Sequence, residues 1–84
     1  MKTPREIAAK FIEQCHRDQY GATRELSDID ALYRAWRNMA YPGEGLSIGR
    51  GGLAQALRNA GFDVIADPHS FRIDVVGIVI SITV

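Results

Sequence analysis

The last fourteen residues, FRIDVVGIVISITV, are rich in β-branched side chains, yet their alternation is not that of one straight strand. Phe71, Ile73 and Val75 take odd positions with Arg72 and Asp74 between them, whereas beyond Gly77 the apolar residues Ile78, Ile80, Ile82 and Val84 take even ones. Successive side chains of a strand point to opposite faces, so this change of parity would carry every later apolar residue to the wrong side. A β-bulge or bend at Gly77 is predicted. A straight strand of that length would also outrun a domain of 84 residues. Upstream, Phe62–Ala66 reads as a strand and Asp67-Pro68-His69-Ser70 as the turn that joins it to the strand starting at Phe71. The chain therefore closes with a hairpin.

Three helices are predicted before it. From Pro4 to about Asp18, Ile7, Ala8, Phe11, Ile12 and Cys15 recur with the spacing of an amphipathic helix, with Thr3 as cap and Gly21 past the end. Ser27-Asp28-Ile29-Asp30 signals a second start, a polar cap followed by acids that suit the positive end of the helix dipole. Ile29, Leu32, Tyr33, Trp36, Met39 and Ala40 then share one face, and Arg34, Arg37 and Asn38 are expected to turn away from it. Pro42 stops that helix near Ala40. A third begins after Ser47 and runs to Gly61, a natural left-handed C-cap, with Leu53, Leu57 and Ala60 inward and Gly51, Gln55, Arg58 and Asn59 outward. Gly49, Gly51 and Gly52 weaken its first turn by up to about 1 kcal/mol each relative to alanine, so propensity did not select them. Gly21–Glu25 is a candidate for a short edge strand.

An 84-residue chain has room for a single domain, 1–84, and its 46% hydrophobic and 24% charged composition is that of an ordinary globular protein. Cys15 is the only cysteine, which excludes an internal disulfide and points to a reducing, cytoplasmic compartment. The N-terminus interleaves charges with apolar residues, unlike a signal peptide, and Val75–Val84 is too short to span a bilayer, so no membrane association is expected. The order helix, short strand, helix, helix, hairpin is that of an α+β winged helix-turn-helix, in which the third helix reads DNA and the C-terminal β-hairpin is the wing.

Particular residues carry a resemblance. FIEQC in the first helix, ALYRAWR in the second, LS followed by GGLAQALRNAGF, and the apolar VVGIVI together resemble the C-terminal winged-helix domain of phage and plasmid primases and of poxvirus-type helicase-primases. Phe11, Cys15, Leu32, Tyr33, Trp36, Leu57, Gly61 and Phe62 match, and the likeness extends over roughly Ile7 to Ile80. These are mostly core positions. In that family the domain ends a long chain carrying helicase and primase modules, and here there is no phosphate-binding motif. The resemblance implies a mobile-element protein that binds nucleic acid or a replication partner, not one that hydrolyses nucleotide.

Net charge is zero, which counts against a strong non-specific grip on phosphates. The charge is unevenly spread, however. Residues 32–61 carry Arg34, Arg37, Arg50 and Arg58 against Glu44 alone. The glycine-rich stretch 43–52 fits neither the P-loop nor the dinucleotide fingerprint, and no cofactor is expected. Its use is instead a helix start whose backbone can approach a DNA phosphate, with Ser47 as cap. Arg50, Gln55, Arg58 and Asn59 are residue types that pair with guanine or adenine edges, and Arg72, with His69 and Ser70 at the wing tip, is placed to meet backbone or minor groove. Arg34 and Arg37 could touch phosphates or pair with Asp30. No metal cluster, serine elbow or catalytic acid pair is present, so an enzyme is not expected. DNA is the partner these residues suit. The alternative on the same fold is a protein-interaction module, a homodimer or an inhibitor of a host protein, pairing through the strand Ile78–Val84 if that lies at a sheet edge.

Overall fold

The computed structural model describes residues 3–18, 20–43 and 48–82. Among them are three helices and two antiparallel sheets, an α+β arrangement. Helix α1 (Pro4–Ile12) starts as its sequence dictates: proline fills the first turn, and the Thr3 hydroxyl accepts the Glu6 backbone N–H at 3.2 Å. Ile7, Ala8 and Phe11 are buried along its stripe.

The helix does not continue to Asp18. It ends at Ile12, and the chain re-forms at once as strand β1 (Cys15–Arg17). Cys15 stays in the core, as the stripe requires, but from an extended backbone. The reason is long-range. Beyond Gly77 lies strand β5 (Ile78–Ile80), which pairs antiparallel with β1 in the register Cys15↔Ile80, His16↔Val79, Arg17↔Ile78. Flanking bonds extend the ladder, Asp18 N–H to the Gly77 carbonyl at 2.9 Å and Ser81 N–H to the Gln14 carbonyl at 2.9 Å. This pairing satisfies both backbones where a longer helix would have left β5 without a partner on this edge.

The second sheet holds strands β2 (Arg24–Glu25), β3 (Asp63–Ala66) and β4 (Ile73–Val76) in the order β2-β4-β3. The hairpin runs from Asp63↔Val76 to Ala66↔Ile73, and the edge strand expected near Gly21–Glu25 is present as Arg24↔Val75 and Glu25↔Asp74. The parity change is a break between sheets. Gly77 has φ +66°, and a side chain there would place its Cβ 2.8 Å from the Asp18 carbonyl oxygen. Val75 and Ile78, three residues apart, are both fully buried because the chain turns between them.

Helix α2 (Leu26–Ala40) takes Glu25 as its N-cap, without a side-chain bond, so Ser27 lies inside the first turn instead of capping it. Asp30 is not a solvated dipole acid: it is buried and receives Arg34 at 3.0 Å. Arg37 is buried too, against expectation. It stands one and two turns beyond Tyr33 and Ile29 on the same i, i+4, i+8 row, so it follows them inward, while Met39 at the helix end is 64% exposed. Helix α3 (Gly49–Asn59) has Ile48 at its N-cap and ends on Gly61 at φ +95°, with the Phe62 N–H reaching the Leu57 carbonyl at 3.0 Å. Leu53 and Leu57 are fully buried, whereas Ala60 is exposed.

The three helices and β4 enclose one core in which Phe11, Tyr33, Leu53, Leu57, Val75 and Ile78 are fully covered. Phe11 is its hub. Its ring lies edge-on to Tyr33 at 5.1 Å and 5.6 Å from Trp36, which in turn meets Tyr41 at 5.6 Å. Among the described residues no helix is long and apolar enough to cross a membrane.

Candidate nucleic-acid interface

Two clefts flank α3, and they divide the residues that the sequence groups together. The first, about 250 Å³, is lined by Glu25, Leu26, Ser27, Arg50, Phe71, Arg72 and Ile73. It brings the start of α3 against the tip end of the β3–β4 hairpin. Arg50 is the second residue of the helix and is exposed. Arg72 donates from Nε to Asp74 Oδ1 at 2.8 Å, and that bond, together with the negative charges of Asp74, Glu25 and Asp28, keeps its guanidinium protonated beyond the ordinary arginine range. The cleft therefore carries two arginines, Arg72 paired with Asp74, and the carboxylate of Glu25.

The second cleft, about 480 Å³, lies between α1 and α3 and is lined by Arg5, Ala9, Ile48, Gly52, Gln55, Ala56 and Asn59. Gly52 permits the helix to pass close to Ile48, because a Cβ at that position would sit 2.8 Å from the isoleucine Cβ. Gln55 and Asn59 are exposed and bonded to each other, Nε2 to Oδ1 at 3.0 Å, so each has a partner that a base edge would have to replace. Arg58 is exposed in the last turn, about 12 Å along the helix axis from Arg50. Ser47 lies outside the described residues. Arg34 is held by Asp30, and Arg37 is in the core.

The hairpin tip is built by Asp67. Its carboxylate accepts the His69 N–H at 2.9 Å and the Ser70 hydroxyl at 2.9 Å, which holds its pKa below the usual range. Its main chain closes the loop, N–H to the Arg72 carbonyl at 2.8 Å and carbonyl to the Phe71 N–H at 3.1 Å. Ser70 is thus committed to the turn, and His69 is exposed beside it.

Sequence reasoning missed Phe71. Alternation assigns it to the apolar face with Ile73 and Val75, but it is 90% exposed and sits at φ +58°. The strand begins only at Ile73, so the alternation does not reach back to it. The available signal was the density of turn-forming residues from 67 to 70 immediately before it.

Burial pushes the Cys15 thiol up to about 11, and its Sγ lies 3.6 Å from the Phe11 carbonyl oxygen. It is a core side chain, not a nucleophile at neutral pH. Comparison with models of known protein families, with curated proteins and with solved structures returns no match.

Proposed function

We propose that the chain is a winged-helix domain that binds DNA without catalysing a reaction, with α3 as the recognition helix and the β3–β4 hairpin as the wing. Apart from β1 and β5, the elements run α1, β2, α2, α3, β3, β4, and the last of them forms the centre of its sheet. With those two strands set aside, this order supports the winged-helix reading. The observation that carries the reading is the first cleft, where Arg50 from the start of α3 and Arg72 from the hairpin line one concave surface. The resemblance to primase-associated domains of phages and plasmids supports a regulator or replication accessory of that kind. A lone buried thiol suits the cytoplasm.

The alternative interaction module draws on the zero net charge. Of its proposed strand, residues 78–84, Ile78–Ile80 pairs with β1 in a two-stranded sheet, the other edge carries one bond from the Ile78 N–H to the Ala22 carbonyl at 3.3 Å, and residues 83 and 84 lie outside the described residues. The cleft shared by Arg50 and Arg72 favours DNA binding.

The test is a titration of duplex and single-stranded DNA at two salt concentrations. Binding should weaken as salt rises, and Arg50→Ala should weaken it about fivefold or more. Absence of binding at low salt, or affinity indifferent to both Arg50→Ala and Arg58→Ala, would overturn the reading.

A further inference from the structure

Phe71 combines two unfavourable features at one position. A bulky L-residue in left-handed conformation is strained, and a phenyl ring 90% exposed gives up the gain from burial. The fold does not leave it there through looseness. Asp67 fixes the loop through four hydrogen bonds, to or from His69, Ser70, Phe71 and Arg72, so the ring is presented by an ordered turn. It is presented beside the cleft that Arg50 and Arg72 also line, with Leu26 and Ile73 as its apolar wall.

A flat aromatic surface next to two guanidinium groups matches a nucleotide with its base unstacked, which offers a π-face and a phosphate at neighbouring positions. A base inside a duplex has both faces covered by its neighbours. Resting on the DNA-binding reading above, we propose that Phe71 stacks on an unpaired base, so that the domain prefers a junction between single- and double-stranded DNA to a fully paired duplex. Arg50 and Arg72 hold the phosphates on either side of that base. The role is one of binding and discrimination.

The experiment compares one labelled duplex with and without a single-stranded arm, by fluorescence anisotropy, for the wild type and for Phe71→Ala, Phe71→Asn and Phe71→Trp. Stacking on one base is worth about tenfold in affinity or somewhat more. The wild type should favour the forked substrate by about that factor, Phe71→Ala and Phe71→Asn should remove the preference while leaving duplex affinity within about twofold, and Phe71→Trp should retain it. Asparagine tolerates the left-handed backbone, so Phe71→Asn tests the ring without disturbing the turn, and it should melt no lower than the wild type. Equal affinity of the wild type for both substrates, or an equal loss on both when the ring is removed, overturns the stacking role and leaves DNA binding standing. Failure of the wild type to bind either substrate overturns both.

Discussion

Phe11 and Phe71 are the same residue in opposite circumstances. Phe11 is fully buried at the hub of a ring cluster with Tyr33 and Trp36, and Phe71 is 90% exposed at a hairpin tip, included in none of those ring contacts. The first is placed by side-chain packing, since the α1 stripe and the inner face of α2 converge on it. The second is placed by the backbone, since Asp67 fixes the loop and the ring goes where the main chain aims it. One region holds the fold together, and the other is left open to solvent.

The contrast should be sharpest in stability. Phe11→Ala is expected to cost about 3–5 kcal/mol, a large part of the roughly 4–13 kcal/mol available to a chain of this length, and urea denaturation would show it. A loss below about 1 kcal/mol would mean that the ring cluster is not the centre of the core. Gly77→Ala comes next, at about 2–4 kcal/mol, because alanine there is strained at φ +66° and meets the Asp18 carbonyl. Thermal melts of Gly77→Ala beside wild type check it.

Cys15 extends the comparison to pH. Its folded pKa is about 11, whereas an exposed thiol titrates near 8.5. The unfolded chain thus loses its proton first. The contribution to stability is complete below about pH 8.5 and is lost as pH rises from there through about 11. Denaturant midpoints at about pH 8 and about pH 11 should differ more for the wild type than for Cys15→Ala, and equal differences would place the thiol outside the core. The smallest effect is expected at the tip: Phe71→Ala should change stability by no more than about 0.5 kcal/mol. A loss approaching that of Phe11→Ala would show that the exposed ring is structural and would erase the contrast.

What a short window of sequence encodes was legible. The Thr3-Pro4 start of α1, the stop of α2 at Ala40, the glycine end of α3, the 63–66 strand with its turn, the edge strand beside β4 and the break at Gly77 all rest on capping, turn chemistry or periodicity. The candidate site was half legible. Arg50 and Arg72 line one cleft, but Gln55 and Asn59 face a different one, and Phe71 lay hidden behind an alternation that starts two residues after it.

By itself, then, the sequence determined the order of the three helices and the hairpin, the start of α1, the ends of α2 and α3 and the buried centre of each helical stripe, because those depend on neighbours within a turn or two. Tertiary structure alone decided that α1 gives way to β1, that β1 meets β5 in the register Cys15↔Ile80, and that Arg37 goes inward on the Ile29–Tyr33 row. A three-residue strand carries no local signature. It exists because residues more than sixty positions away need a hydrogen-bonded partner, and only the assembled chain can supply one.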